Sequence, residues 1–191
     1  MNNHTKEILG SVLSAIGTIE AAIGSTPIPR INEHLSMDLR LTGNVLQATG
    51  SALSADGQGT FSLEMFGDEI QAVGNSSVIT GLLINNKSIN SQKIIIDGNW
   101  LQALGSFVGL ADESFDSTAS GRIENVIGGF LQGIGNSMQA VGGVDQLKNG
   151  SQPTLHSVGV IGSWIQATGS VISLIGQIKE EKEEIKKGIN E

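Results

Sequence analysis

Apolar and polar residues follow one another along this chain with a helical period, and glycine recurs within that period every seven residues. The clearest unit, Gly162-Ser-Trp-Ile-Gln-Ala-Thr-Gly169, has counterparts along the chain, and six copies begin at residues 10, 43, 67, 98, 128 and 162. In each copy the first glycine is followed by a large aliphatic residue at the fourth position and by glycine at the eighth. This spacing is typical of helices, because strand side chains share a face at every second residue.

Copies that start 24 to 34 residues apart are supersecondary units that bury a core by stacking on their neighbours. The pattern predicts an all-α fold of about six antiparallel helices, built from an internal repeat of about 30 residues as an up-down bundle or layer. We expect one helical-repeat domain over residues 1–191. The predicted helices cover about 5–24, 35–55, 61–84, 91–112 and 120–148, and a sixth follows Pro153.

Two segments depart from the general pattern. Residues 91–97 contain Ile94-Ile95-Ile96, which is typical of a buried strand, but the register of the repeat favours a helix there. Within residues 179–191, the lysines from Lys179 to Lys187 are interleaved with four glutamates, and we expect this segment to extend the last helix as a charged, solvated C-terminal segment.

Glycines seven residues apart form a bare stripe on one face of each helix, with leucine or isoleucine beside it. Each glycine costs up to about 1 kcal/mol of helix propensity relative to alanine, so the helices depend on close packing against one another, a partner chain or a membrane. The predicted helix-packing residues are Gly43, Gly50, Gly67, Gly74, Gly98, Gly105, Gly128, Gly135, Gly162 and Gly169.

Glutamine holds the fifth position of most copies, and its amide can donate and accept hydrogen bonds towards a neighbouring helix. The predicted polar ladder consists of Gln47, Gln71, Gln102, Gln132 and Gln166, with Gln139 in an overlapping register. The simpler alternative is that these residues are hydrated helix formers.

Large aromatic residues occupy the third position of three copies, roughly opposite the glycine stripe: Trp100, Phe130 and Trp164. They are candidate anchors in a protein interface or at the headgroup level of a membrane. Ordinary core packing is the alternative.

Charge and composition exclude several classes of protein. A net charge of -8 without a basic patch argues against nucleic-acid binding, and the absence of cysteine excludes disulfides and thiolate chemistry. No secretory signal is recognisable, so the default expectation is the cytoplasm.

No constellation of catalytic, cofactor-binding or metal-binding residues stands out. His4, His34 and His156 lie in different repeats without metal-ligand spacing, and solvated histidines are the better interpretation. The stretch 112–118 begins like a calcium loop, but Ser117 stands where the loop requires its turn residue, and an acidic loop is expected. We therefore predict a protein that is not an enzyme, with no cofactor and no metal.

Repeats of the form Gly-x-x-Leu-Gln-Ala-x-Gly resemble those of an uncharacterised family of repetitive proteins in bacilli. The resemblance covers roughly Gly43 to Gly176, and the first copy departs from it at Ser14, where glutamine is expected. It implies no activity, small-molecule substrate or site residue.

The leading functional hypothesis is a structural, self-assembling helical protein, a homo-oligomer that acts through close helix-helix interfaces. The alternative is a membrane-active or pore-forming amphipathic protein, less favoured by the sequence. Residues 155–178 contain no charged side chain for 24 residues, but Gln166, His156 and several serines make their hydrophobicity marginal. A carrier with a groove between helices is a third hypothesis without a residue signature.

Overall fold

The computed structural model describes residues 1–85, 88–113, 120–150 and 155–190, and this part of the chain forms six α-helices. They are α1 (Asn3–Ser25), α2 (Glu33–Gly57), α3 (Leu63–Asn85), α4 (Ile89–Glu113), α5 (Arg122–Asn149) and α6 (His156–Asn190). The predicted all-α class is confirmed, and residues 94–96 lie within α4. Residues 114–118 of the acidic stretch, where we expected no calcium, lie outside the described residues.

Side chains just before the helices fix several of the helix starts. Asn2 and Asn32 each accept a hydrogen bond of 2.8 Å from a backbone amide in the first turn of α1 and α2. The Ser62 hydroxyl accepts one of 2.9 Å from the amide of Met65 at the start of α3. These contacts satisfy amides that have no partner within the helix, so residues in the sequence set where α1, α2 and α3 begin.

The six helices form a closed ring. The most extensive contacts join α1 to α2, α3 to α4 and α5 to α6, so the chain forms three helical hairpins. Further contacts join α2 to α3, α4 to α5, and α6 back to α1, and within the described ranges no helix backbone approaches one that is not its neighbour. Such a ring must enclose an interior, and that interior positions the candidate site.

Paired glycines hold each hairpin together. A Cβ atom added to any of these glycines would lie only 2.5 to 2.8 Å from the carbonyl oxygen of its partner, so the two backbones are in direct contact. The pairs are Gly10 with Gly50, Gly67 with Gly105 and Gly128 with Gly169 at one level, and Gly17 with Gly43, Gly74 with Gly98 and Gly135 with Gly162 at a second level. The ten predicted packing glycines all belong to these pairs, and their order shows that the paired helices are antiparallel.

Polar side chains are buried, and many of the large apolar ones are exposed. The buried apolar residues are mostly alanines, and the larger ones are Val78, Leu82 and Ile96. Among the residues that the structure describes, sixteen polar or charged ones are also buried, whereas large apolar residues are exposed on all six helices. A water-soluble domain normally has the reverse distribution, so this inversion bears directly on function.

Two glycines of α4 test the role of backbone contact. In the G105A variant, the added methyl group would lie 2.5 Å from the carbonyl oxygen of Gly67. We expect this variant to lose about 1–3 kcal/mol of unfolding free energy through overpacking, although alanine is the better helix former. Chemical unfolding followed by circular dichroism measures the change.

Gly109→Ala is the matched control one turn later. Its Cβ would find its nearest neighbour, the Cα atom of Glu64, at 3.9 Å, which is an ordinary contact. We expect this variant to gain up to about 1 kcal/mol from helix propensity. Equal effects of the two substitutions would contradict the backbone-contact account.

Candidate functional site

The interior of the ring is lined by a polar face on each helix. Counted from the first glycine of each copy, positions 2, 5, 9 and 12 lie three or four residues apart and therefore share one face. The residues there are Ser11, Ser14, Thr18 and Ala21 in α1; Asn44, Gln47, Ser51 and Ser54 in α2; Asp68, Gln71, Asn75 and Val78 in α3; Asn99, Gln102, Ser106 and Gly109 in α4; Gly129, Gln132, Asn136 and Gln139 in α5; and Ser163, Gln166, Ser170 and Ser173 in α6. These residues line the interior cavities or are buried.

One interior cavity, which we call the acidic chamber, lies towards the end of the ring where α1 begins. It has a volume of about 110 Å³, and its wall includes Glu7, Glu64 and Asp68 together with serines and glutamines from all six helices. Three carboxyl groups around one small polar cavity give this end of the interior an acidic character.

Amide groups connect the carboxyl of Glu7 to the end of α6. Gln58 and Gln177 each donate to Glu7 Oε2, at 3.2 and 3.1 Å, and Gln177 also donates to Glu181 Oε1 at 2.8 Å. Glu181 is fully buried, so one residue of the charged C-terminal segment is enclosed by protein and not solvated as we expected. The network joins α1, the residue that follows α2, and α6 at this end of the ring.

Beside this network, His4, Glu181 and Glu184 offer three donor atoms that lie within 4.8 Å of one another. Their ligand types suit a divalent transition metal, a grouping that the sequence did not reveal because 177 residues separate His4 from Glu181. His4 Nδ1 already hydrogen-bonds Glu181 Oε2, and Glu184 Oε2 lies 3.7 Å from the same nitrogen. The hydrogen bond to Glu181 and the longer contact with Glu184 account for this arrangement without a metal.

A wider cavity, the Arg40 vestibule, lies towards the end of the ring where α2 begins. It has a volume of about 430 Å³ and is lined by Arg40, Glu33, Asn99 and Gln146, with glycines of α1, α5 and α6. The two ends of the interior therefore differ in their charged groups, with three carboxyls on the wall of one and one arginine and one glutamate on the wall of the other.

The glutamine cluster, formed by Gln47, Gln102, Gln139 and Gln166, separates the acidic chamber from the Arg40 vestibule. Gln166 Nε2 donates to Gln47 Oε1 at 2.9 Å and to Gln102 Oε1 at 3.4 Å. Gln166 Oε1 in turn accepts from Gln139 Nε2 at 2.8 Å. Four helices thus meet across the interior through the amide groups of their side chains.

The predicted ladder is divided between two places. Gln47, Gln102 and Gln166 lie in even-numbered helices and meet in the glutamine cluster, whereas Gln71 and Gln132 lie in odd-numbered helices and line the acidic chamber. Side chains of a helix lean towards its N-terminus, so antiparallel neighbours direct the same repeat position towards opposite ends of the ring. Gln132 donates to Ser173 Oγ at 3.0 Å across its hairpin.

The three predicted aromatic anchors lie on the outer surface. Trp100, Phe130 and Trp164 are 45%, 53% and 43% exposed, so none of them is a core residue. Trp164 Nε1 donates to Thr26 Oγ1 at 2.9 Å, and the Phe130 ring meets Phe107 edge-on at 6.5 Å. Much of each aromatic surface is left facing outwards.

Sequence reasoning missed most of the interior face. Position 9 carries serine, threonine or asparagine in every copy, and all six of these side chains are at most 5% exposed: Thr18, Ser51, Asn75, Ser106, Asn136 and Ser170. Position 2 varies in residue identity but is polar in five of the six copies. A search for conserved polarity at heptad spacing, in place of residue identity, would have found this face.

Three helices of the described chain are long and apolar enough to cross a membrane by length and composition. They are Asn3–Ser25, Ile89–Ala111 and Ser157–Gly188. They belong to α1, α4 and α6, one from each hairpin.

The chain belongs to a family of unknown function, DUF6944, whose model matches residues 5–174. This agrees with the resemblance to an uncharacterised family. No curated protein and no solved structure shows a significant match to the chain.

Replacing Gln166 tests the glutamine cluster. In Q166L the acceptors of Gln47 and Gln102 and the donor of Gln139 each lose a partner inside the ring. We expect a loss of about 1–3 kcal/mol in unfolding free energy, because buried polar groups without partners are costly.

Gln71→Leu is the control, since the Gln71 amide makes one long contact of 3.4 Å, to Asp68 on its own helix, and is only half-buried. Chemical unfolding of both variants should show the larger loss for Gln166→Leu. A loss of the same size in both would mean that the cluster contributes no more than an ordinary polar side chain.

Proposed function

We propose that this protein is a membrane-embedded helical bundle, whose outer surface contacts lipid and whose polar interior is shielded from it. The observation that carries the proposal is the inverted distribution of side chains, with amides, hydroxyls and carboxyls inside the ring and large apolar residues outside it. In water this arrangement exposes apolar surface on every helix and buries polar groups. In a bilayer the outward apolar residues are favourable, and polar side chains face the protein interior.

Helix length and packing support the proposal. The shortest helices have 23 residues, which corresponds to about 35 Å at 1.5 Å per residue, against about 30 Å for the hydrocarbon core of a bilayer. Membrane helices associate through small residues that let their backbones approach, because lipid supplies no hydrophobic driving force between them. The reciprocal glycine pairs are contacts of this kind.

Charge along the outer surface also fits a bilayer. Between the paired glycines of the six helices, the sequence contains two charged residues, Asp68 and Glu69. Asp68 lines the acidic chamber, so Glu69 is the one charged side chain that this band presents outwards. A band almost free of charge around the ring suits the middle of a membrane.

Lateral association of several copies through the same outer surface is the second candidate, and it retains the original expectation of a self-assembling homo-oligomer. The shallow groove between α2 and α3 favours it, since Ala48, Ala52, Ala72 and Val73 line about 360 Å³ of largely apolar space. Overall mean hydropathy is only +0.06, which a protein assembly tolerates more readily than a bilayer. Both candidates are non-enzymatic and use no nucleic acid.

Intrinsic fluorescence distinguishes these candidates, because the chain has two tryptophans and no tyrosine. With the protein reconstituted into phosphatidylcholine vesicles, we expect brominated acyl chains to quench Trp100 and Trp164. The variants Trp100→Phe and Trp164→Phe report on each position separately. Strong quenching by aqueous iodide without quenching by brominated lipid would contradict membrane insertion.

A charge placed on the outer surface provides an independent check. Leu104 is 51% exposed on α4, within the band between the paired glycines. Lysine at the centre of a membrane helix costs about 2.5–3.5 kcal/mol, so Leu104→Lys should reduce the vesicle-bound fraction in flotation assays while leaving the helical content intact.

Asp97→Lys is the matched control, because Asp97 is an exposed charged residue on the same helix, outside the band. We expect it to float like the unmodified chain. Equal flotation of the Leu104→Lys and Asp97→Lys variants would argue that position 104 does not contact lipid.

A further inference from the structure

We propose that the interior of the ring is a path for small monovalent cations, and that the glutamine cluster is its constriction. This inference rests on the proposed membrane function and adds to it the class of solute and the residues that control passage. The acidic chamber and the Arg40 vestibule approach the cluster from opposite ends of the ring. A third small cavity, of about 30 Å³, continues the vestibule and ends on all four cluster glutamines.

The cluster closes the path with groups that also suit a polar solute. Glutamine amides offer both donors and acceptors, so the hydrogen bonds of Gln166 to Gln47 and Gln102 can be exchanged for bonds to water or to an ion. A leucine at the same place could not make that exchange. The constriction is therefore polar and held by a few side-chain hydrogen bonds, in contrast to a packed apolar plug.

Two unsatisfied amide groups at position 9 of the interior face, one in α3 and one in α5, point to a guest in the interior. Asn136 is 1% exposed, and its Oδ1 accepts from Gln139 Nε2 at 3.4 Å, but its Nδ2 has no hydrogen-bond partner. Asn75 is 2% exposed, and its Oδ1 is likewise without a partner. Buried amide groups of this kind are normally paired, and water or a hydrated solute in the path would supply the missing partners.

Charge along the wall favours cations over anions. Glu7, Glu64 and Asp68 line the acidic chamber, and the buried carboxyl of Glu181 joins Glu7 through Gln177. At the other end Arg40 is accompanied by Glu33 on the wall of the same vestibule. The carboxyls along the path outnumber this arginine, so the path attracts cations to the extent that these carboxyls are ionised.

Potassium flux from phosphatidylcholine vesicles containing the full chain tests the proposal. Gln166→Ala removes the central amide. We expect potassium efflux to rise by about fivefold, because the loss of one hydrogen bond of ordinary strength shifts the equilibrium between the closed and the open cluster by about that factor. Gln102→Ala should act in the same direction, and Gln166→Leu should lower the flux. Thr168→Ala, on the exposed surface of α6 two residues from Gln166, is the control and should leave the flux near that of the unmodified chain.

Selectivity is measured with the same vesicles and a chloride-sensitive dye. Potassium should pass in preference to chloride, and the double variant Glu7→Gln and Glu64→Gln should reduce that preference. Equal passage of potassium and chloride, or no response of potassium flux to either alanine variant of the cluster, would overturn the inference.

Flotation and circular dichroism of each variant separate the two proposals. If the variants insert as helical proteins and their fluxes are unchanged, the bundle is a membrane protein without this path. If the unmodified chain does not float with vesicles, the membrane proposal fails and the path fails with it.

Discussion

Direct contact between the backbones of paired glycines is the constraint on which the rest of the structure depends. At two levels of each hairpin, no side chain separates the two helices. Glycine in a helix is unfavourable by itself, so the six helices form together through these contacts and not independently. Once the glycines are committed to the hairpin interfaces, they are unavailable for contacts between chains. Any association with lipid or with further copies must use the outer surface.

The glycine contacts also determine which residues face inwards. Positions 1 and 8 of each copy turn towards the partner helix, and the neighbouring face with positions 2, 5, 9 and 12 turns towards the interior. Because that face carries amides and hydroxyls, the ring closes around polar groups, and some of them pair across the interior, as Gln166 does with Gln47. The third position, with Trp100 and Trp164, is left on the outside. One stripe of glycine thus separates an inner polar face from an outer apolar one.

The sequence was sufficient to predict the helices but not to predict how they are arranged in the ring. Heptad glycine and the breaks between the copies predicted six helices with boundaries within about three residues of those observed, because these are local signals. Closure of the ring depends on contacts between α1 and α6, which local patterns do not encode. Because the sequence does not show that the ring closes, it does not show that the bundle has an interior, and it predicts a single ladder of glutamines. For the same reason it does not predict that Glu181 is buried and connected through Gln177 to Glu7 of α1.

The three hairpins make equivalent glycine contacts, so the difference between the two ends of the interior comes from other residues. The position three residues before the first glycine illustrates this. In the odd-numbered helices it holds Glu7, Glu64 and Asn125, all on the wall of the acidic chamber. In the even-numbered helices it holds Arg40, Ile95 and Gly159, all on the wall of the vestibule. Because the glycine contacts hold the helices together, the residues at the two ends of the interior are free to differ in charge. The polar interior is therefore different at its two ends.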